Sequence, residues 1–292
     1  MENYIIGIGE LLWDILPNGK KIGGAPVNFA YHISQFGLPG FAVSAVGKDD
    51  SGSEITEVLK EKDIKGLIYK VNFPTGTVSV TIDNLGIPLY SITENVAWDN
   101  IPYTPELKQL AVNTTAVCFG SLAQRSAVSR QTITHFLDDV LANNSALVVF
   151  DINLRQGFYT QEIIDESLKR CNILKINDEE LAVVSHIFGY TGTDMIDKCK
   201  QLLEDYSLKL VILTCGVNGS YVITPEKTYF RPTPKVEVAD TVGAGDSFTA
   251  AFIAALLRGK SIEEAHSTAV RTSAFVCSQN GAMPVLPQNI TI

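Results

Sequence analysis

Short apolar runs alternate with amphipathic helical stretches along most of this chain, and that alternation restricts the fold more than any other feature. Some runs are apolar throughout, as at 147–150 and 210–213. Continuous apolar runs suit strands that are covered on both faces. The alternation therefore predicts an α/β fold, with a mostly parallel central sheet and helices on both faces.

The pattern assigns a specific set of elements. Predicted strands cover residues 4–8, 41–46, 116–119, 147–151, 172–176, 210–214 and 220–224. Predicted helices cover residues 26–36, 52–61, 129–142, 194–205, 244–257 and 262–277.

Residues 69–102 interrupt this alternation. Apolar and polar residues alternate with period two over 77–83, a turn follows at Asn84–Gly86, and 88–92 returns without a helical crossover. This pattern predicts a β-hairpin. A second turn lies at Leu16–Lys20. We therefore predict one domain over 1–292 with a small β-lid built from segments 11–22 and 69–102; an ordinary edge hairpin is the alternative.

The composition limits the class of protein. The 292 residues are 46% hydrophobic and carry a net charge of −9 without a basic run, so we expect neither a nucleic-acid nor a membrane partner. The five cysteines are widely spaced with no CxxC pair, which indicates reduced thiols in a soluble, cytoplasmic protein rather than a zinc site. The sequence leaves open whether the protein is a monomer or a homodimer formed through the lid.

A glycine-rich helix start near the end of the chain is the strongest chemical signal. Gly243 and Gly245 flank Ala244 just before an apolar helical run. Backbone N–H groups at such a helix N-terminus, with the helix dipole, create an anion hole suited to phosphoryl oxygens. Asp246 lies beside that hole, where a carboxylate can accept a proton from a hydroxyl. An aspartate in a first turn also stabilises a helix by itself, so the sequence alone leaves both interpretations open.

A second glycine-rich turn begins the predicted helix at 26–36. Gly23 and Gly24 precede Pro26 and Asn28. Glycines allow a ligand to approach the backbone, and an asparagine side chain both donates and accepts hydrogen bonds. A tight turn with a capping asparagine is the alternative.

These two elements occur together in the ribokinase/PfkB family of sugar kinases, which this chain resembles over essentially its whole length. Residues 23–37 resemble the N-terminal signature, and 240–256 resemble the C-terminal signature closely. Asn177 to Glu180 is similar to the family's Asn-x-x-Glu motif, and 214–219 to its nucleotide loop. The stretches GELLWD at 9–14, GGAPVN at 23–28 and DINLR at 151–155 most resemble bacterial fructokinases.

The resemblance implies an ATP-dependent phosphorylation of a small sugar at a primary hydroxyl, with D-fructose as the expected substrate. Asp246 would be the general base, and the anion hole would be formed by Gly243, Ala244 and Gly245. The expected sugar-binding residues are Asp14, Gly24, Asn28, Asn153 and Arg155. The expected ATP-binding residues are Asn177, Thr214, Gly216 and Gly219. Glu180 would hold Mg²⁺ through water, and Asp240, Val242 and Gly281 would hold K⁺.

Several alternatives stay open. A 2-keto-3-deoxygluconate kinase, a ribokinase and a nucleoside kinase share the same framework, and Arg155 could pair with the carboxylate of an acidic sugar. The Asn-x-x-Glu motif is also a capping-box pattern. A catalytically silent, sugar-binding regulator on the same fold is a different class of function. We expect such a protein to lose the base or the glycines, and this chain keeps both.

Overall fold

The computed structural model describes residues 3–16, 19–82, 88–143, 145–192 and 194–291. The strands within them are β1 (Tyr4–Ile8), β2 (Leu12–Leu16), β3 (Gly19–Gly23), β4 (Gly40–Gly47), β5 (Gly66–Val71), β6 (Gly76–Ile82), β7 (Pro88–Ile92), β8 (Thr114–Phe119), β9 (Leu147–Asp151), β10 (Ile173–Asn177), β11 (Leu210–Thr214), β12 (Ser220–Ile223) and β13 (Thr228–Arg231). The helices are α1 (Ala25–Gln35), α2 (Asp50–Glu61), α3 (Pro105–Val112), α4 (Ala127–Asn143), α5 (Gln161–Leu168), α6 (Asp178–Phe188), α7 (Met195–Asp205), α8 (Ala244–Leu257), α9 (Ile262–Cys277) and α10 (Gln288–Thr291).

The predicted central sheet is confirmed. It has nine strands in the order β13-β12-β11-β10-β9-β8-β1-β4-β5. The strands from β11 to β5 pair in parallel, and β12 and β13 add an antiparallel hairpin at one edge. The chain builds outward from β1 in both directions, which makes β1 the topological switch point where such sheets bind ligands.

Helices cover both faces of this sheet, as predicted. On one face, α8 and α9 pack with α1 against strand residues such as Val149, Ile173 and Ile212. On the other face, α3 to α7 pack against the alternate strand residues, including Val148, Phe150 and Leu174. Because successive strand residues point to opposite faces, a strand buried on both sides must be apolar at nearly every position. That requirement explains the continuous apolar runs.

A second sheet has four strands in the order β3-β2-β6-β7. Two antiparallel hairpins are joined by a parallel pairing of β2 with β6. Strands of this sheet come from both segments that the sequence assigns to the lid, although residues 69–71 belong to β5 of the central sheet. The predicted turn at 84–86, and Pro17 and Asn18 of the other predicted turn, lie outside the described residues.

Several elements were not predicted, among them β5, α3, α5 and α6. Strand β5 lies at the sheet edge and is only partly buried, so it lacks a continuous apolar run. Helix α6 begins directly after β10, with Asn177 as the last strand residue and also the helix N-cap, so no loop residues separate the two. In the described portion of the chain, no helix combines the length and apolarity needed to cross a bilayer.

Candidate active site

The predicted site residues gather at one edge of the central sheet. Asn153 follows β9, Asn177 ends β10 and Thr214 ends β11, and the stretch from Gly9 that leads to Asp14 begins after β1. These strands are parallel, so their carboxyl ends meet at the same edge. The switch point at β1 is among these strand ends. Helix α8, which packs on one face of the sheet, begins beside them.

Helix α8 starts without a capping side chain. Its N-cap is Gly243, in the left-handed conformation with φ of 78°, and no side chain accepts from the first amide groups. A Cβ at this position would lie 2.6 Å from the Cβ of Ala282, so both the conformation and the close approach require glycine. The Ala244 backbone N–H donates a long 3.3 Å hydrogen bond to the Thr241 carbonyl oxygen. A helix N-terminus without a capping side chain presents backbone N–H groups and partial positive charge to an anion.

Asp246 joins the two glycine-rich helix starts. It lies in the first turn of α8, and its Oδ2 accepts a 2.7 Å hydrogen bond from Nδ2 of Asn28 in α1. Burial raises the pKa of Asp246 to about 7, and the negative charge of Asp151 acts in the same direction. A carboxyl group that titrates near neutral pH is suited to exchanging a proton with a substrate hydroxyl.

Three further charged residues, which were not predicted from the sequence, lie within electrostatic range of Asp246. Nζ of Lys175 lies 3.0 Å from Oδ1 of Asp151, and both side chains are buried. Glu10 is 2% exposed and accepts a 3.3 Å hydrogen bond from the Ala25 backbone N–H. Burial raises the pKa of Glu10. The sequence does contain a sign of Lys175, because this lysine stands in the middle of the apolar run of β10.

Asp14 and the Gly23-Gly24 turn approach each other closely. A Cβ on Gly23 would lie 2.3 Å from Oδ2 of Asp14, and one on Gly24 would lie 2.3 Å from the Glu10 carbonyl oxygen. Gly24 also has φ of 126°. Burial and the nearby charge of Asp240 raise the pKa of Asp14 to about 6. This turn therefore needs glycines for space and for conformation.

Cationic side chains lie near the same carboxylates. The charges of Arg155 and Lys21 oppose the rise in the pKa of Asp14, so both lie within electrostatic range of it. Arg155 is exposed, and its Nη1 donates a 3.0 Å hydrogen bond to the carbonyl oxygen of Leu154. Asn153 has a left-handed φ of 47°, an uncommon conformation for a residue with a side chain.

The Asn177 and Glu180 pair forms a capping box. The Asn177 side chain accepts from the Glu180 backbone N–H at 2.8 Å, and Oε2 of Glu180 accepts from the Asn177 backbone N–H at 2.9 Å. Oε1 of Glu180 accepts from the Leu154 backbone N–H at 3.0 Å. Each carboxylate oxygen therefore already holds one backbone donor. Such a carboxylate fits contact with metal-bound water better than direct ligation.

The predicted Mg²⁺ would therefore have to enter with ATP. In the ranges that the structure describes, no three carboxylate, histidine or cysteine side chains are grouped to hold a metal ion. Magnesium keeps several of its waters and is usually bound by one or two carboxylates together with substrate phosphates. Glu180 fits such a site, as a carboxylate that contacts the waters of the ion rather than the ion itself.

The predicted nucleotide loop is a strand-to-turn transition. Thr214 ends β11, and the turn after it uses left-handed Gly216 with φ of 52°. Thr233 Oγ1 donates a 2.6 Å hydrogen bond to the Gly216 carbonyl oxygen. A Cβ on Gly219 would lie 2.5 Å from the carbonyl oxygen of Arg231, so the loop packs tightly on β13.

The three residues predicted to bind K⁺ lie together. Oδ1 of Asp240 accepts from the Val242 backbone N–H, and Oδ2 accepts from the Gly281 backbone N–H, each at 3.1 Å. Nζ of Lys21 in β3 lies 3.5 Å from Oδ2 of the same aspartate. The second sheet and the two loops beside α8 therefore meet at Asp240.

Comparison with known proteins gives consistent matches over nearly the whole chain. The model of the pfkB family of carbohydrate kinases matches residues 18–289. An ATP-dependent 6-phosphofructokinase from Thermoanaerobacterium thermosaccharolyticum is 29% identical, over 99% of this chain and 92% of its own length. A fructokinase from Salmonella typhimurium is 26% identical, over 96% of this chain and 95% of its own length.

Solved structures agree with the fold. The crystal structure of a fructokinase with bound ATP from Xylella fastidiosa has a TM-score of 0.83 at 20% identity, covering 98% of this chain and 96% of that chain. A ribokinase from Thermotoga maritima has a TM-score of 0.80 at 22% identity, covering 100% and 98%. The fold is therefore ribokinase-like.

Proposed function

Because the chain belongs to the PfkB family of carbohydrate kinases, we propose that this sugar kinase transfers the terminal phosphoryl group of ATP to a primary hydroxyl of D-fructose. The observation that carries the proposal is the Asp246–Asn28 hydrogen bond at the uncapped start of α8. It puts a carboxyl group of near-neutral pKa beside amide groups suited to a phosphate.

The reaction proposed for this site is a single phosphoryl transfer. Asp246 takes the proton from the sugar hydroxyl as that oxygen attacks the terminal phosphorus atom of ATP, and the bond from this phosphorus to the bridging oxygen breaks so that ADP leaves. The backbone N–H groups of Gly243, Ala244 and Gly245 stabilise the charge on the phosphoryl oxygens. Phosphoryl transfer depends mainly on positioning and electrostatic stabilisation, so these amides contribute as much as the base does.

The sugar is proposed to lie between the second sheet and the carboxyl ends of β1 and β9. Asp14, Asn28 and Asn153 would exchange hydrogen bonds with its hydroxyls, Gly24 would let the ring approach the backbone, and Arg155 would add a cationic fork. The second sheet would act as a lid over this space, since Asp14 belongs to its strand β2. The fructokinase-like GELLWD and DINLR stretches and the Salmonella relative support fructose.

ATP is proposed to bind across the ends of β10 and β11. Asn177, Thr214, Gly216 and Gly219 would contact the nucleotide. Glu180 would contact water bound to the Mg²⁺ that accompanies ATP. K⁺ is proposed at the loop formed by Asp240, Val242 and Gly281, where it would hold the start of α8 in place. A cytoplasmic location suits the five free cysteines.

An anionic sugar is the second candidate substrate. Arg155 and Lys21 provide positive charge near Asp14, and one relative is a 6-phosphofructokinase. A sugar phosphate, or the acid 2-keto-3-deoxygluconate, would place its anionic group against these cations. A double substitution of Arg155 and Lys21 to Met separates the candidates, because it should raise KM strongly for an anionic sugar and weakly for fructose.

The deciding experiment is an assay of ATP consumption, coupled to ADP detection, over a panel of acceptors. The panel contains fructose, fructose 6-phosphate, 2-keto-3-deoxygluconate, ribose and nucleosides. We expect kcat/KM to be highest for fructose. A tenfold preference for another acceptor would reassign the substrate. Sugar binding without ATP consumption would instead indicate a silent regulator. Sedimentation of the same sample tests whether two copies pair through the second sheet.

A further inference from the structure

The face of the central sheet beneath α8 carries one buried ion pair. Lys175 in β10 stands opposite Asp151 in β9 in the parallel register, so both side chains point to the same face. Apolar neighbours on that face, such as Val149, Ile173 and Ile212, pack against α8 and α9. The Lys175 side chain is 10% exposed and that of Asp151 is 8% exposed.

This ion pair lies against the first turn of α8. Nζ of Lys175 is 3.0 Å from Oδ1 of Asp151, while Oδ2 of Asp151 accepts a 2.9 Å hydrogen bond from Oγ1 of Thr249. The same Thr249 hydroxyl lies 3.1 Å from the Gly245 carbonyl oxygen. A Cβ on Gly245 would come within 2.9 Å of Nζ of Lys175. The ammonium group therefore occupies the space that a side chain at 245 would need.

Stability does not explain a lysine at this position. Replacing a buried ion pair with apolar residues of similar volume is often neutral or stabilising. A cation beside a helix N-terminus also opposes the helix dipole. An apolar pair at 151 and 175 would continue the surrounding core, so the charges require a different reason.

The charged and polar groups that face Asp246 come from every neighbouring element. They are Asn28 from α1, Glu10 after β1, Cys118 from β8, Asp151 from β9 and Lys175 from β10, with Glu180 of α6 within electrostatic range of Lys175. Glu10 and Asp151 disfavour ionisation of Asp246, whereas Lys175 favours it. The ammonium group therefore offsets part of the negative charge around the base.

Resting on the sugar kinase function proposed above, we propose that Lys175 and Asp151 are positioning residues that act through Asp246. Lys175 favours the ionised form of the base and supports the glycine backbone of the anion hole. Asp151 holds the lysine in place and limits its effect. Neither residue needs to touch the sugar or ATP. The two charges have opposite effects on Asp246. Removing the Lys175 charge should raise the proton affinity of Asp246, and removing the Asp151 charge should lower it.

The test is a titration of the Asp246 carboxyl group by ¹³C NMR in protein labelled at aspartate, without substrate, with Asp246→Asn used to assign the signal. Lys175→Met should raise the titration midpoint by about one pH unit, because an opposite charge has been removed. Asp151→Asn should lower it by about one pH unit, because a like charge has been removed. The charge-neutral double variant should return close to the wild-type midpoint, and Lys175→Arg should leave it unchanged.

Opposite shifts in the two single variants, cancelled in the double variant, support the proposal. A purely structural role would loosen the first turn of α8 in both single variants and hydrate Asp246, which lowers the midpoint in each. Shifts in the same direction, or no shifts, overturn the proposal. If Lys175→Met alone does not fold, the charge-neutral double variant still decides, because the proposal expects a wild-type midpoint there and a purely structural role expects a lowered one. The titration requires no turnover, so absence of kinase activity would refute the proposed function separately. In an active enzyme the acid limb of kcat/KM should follow the same shifts.

Discussion

Asp246→Asn is the substitution that tests the proposed mechanism most directly. The change removes the basic oxygen and the charge but keeps the shape of the side chain. The oxygen of the new amide can still accept from Nδ2 of Asn28, which now lies 2.7 Å from Oδ2 of Asp246. Because α8 has no capping side chain, the substitution removes no cap. We therefore expect the fold to be retained.

Loss of a general base should reduce kcat by about 10² to 10⁴. Each factor of ten corresponds to about 1.4 kcal/mol, so the barrier should rise by about 3 to 5 kcal/mol. The full loss appears above the pKa of Asp246, which is about 7, where the wild-type carboxyl group is ionised. Below that value the wild type also lacks its base, and the two enzymes should become more alike.

Although Asp246→Asn should lower turnover, it should raise the stability of the folded protein. The pKa of Asp246 is raised from 3.8 to about 7, so the folded protein binds this proton more tightly than the unfolded chain does. As pH rises through this window the wild type loses stability, and the loss is complete above about 7. The asparagine variant has no proton to lose. Its Tm should therefore exceed that of the wild type at weakly alkaline pH, and the difference should shrink on acidification.

The assay is the coupled measurement of ATP consumption with saturating fructose, together with thermal unfolding across pH. Asp197→Asn is the matched control, since Asp197 occupies the first turn of α7 as Asp246 does in α8 but is 68% exposed. The control should keep wild-type turnover and show no comparable gain in Tm. Turnover of Asp246→Asn within a few-fold of the wild type would remove this residue from the mechanism.

Three further predictions follow from the site. The wild-type kcat/KM should rise with pH through about 7 as Asp246 ionises, and a flat profile across that range would contradict its role as base. Asp14→Ala should raise KM for fructose by at least about tenfold while leaving KM for ATP nearly unchanged, because buried hydroxyls lose a partner; equal effects on both constants would argue against sugar contact. Activity should be higher in K⁺ than in tetramethylammonium, and equal activities would exclude a cation at Asp240.

The sequence predicted the framework well because burial on both faces leaves a continuous apolar record. Strands β1, β9 and β11 and helices α8 and α9 have the predicted bounds. Elements that are only partly buried, such as β5, leave a weaker pattern. Where Asn177 ends a strand and caps a helix at once, no loop residues indicate the boundary.

The site was predicted less completely. Asp246 and Asn28 were found because glycine-rich helix starts carry local signals, but their hydrogen bond joins residues 218 positions apart. Only the fold reveals that contact. Lys175 and Asp151 were passed over because each stands in a strand, and a strand pattern does not identify its cross-strand neighbour. Sheet register supplies that information.

The bond between Asn28 and Asp246 also has a consequence for how the protein is made. Synthesis from the N-terminus delivers the partner of Asn28 only after more than two hundred further residues have been added. The tight contact of Gly243 with Ala282 delays completion of the anion hole further still. Contacts of such long sequence separation form late and slow folding. Nascent chains that carry the whole second sheet and most of the central sheet should therefore be inactive on the ribosome, with the unfilled face under α8 open to chaperones until the last helices arrive.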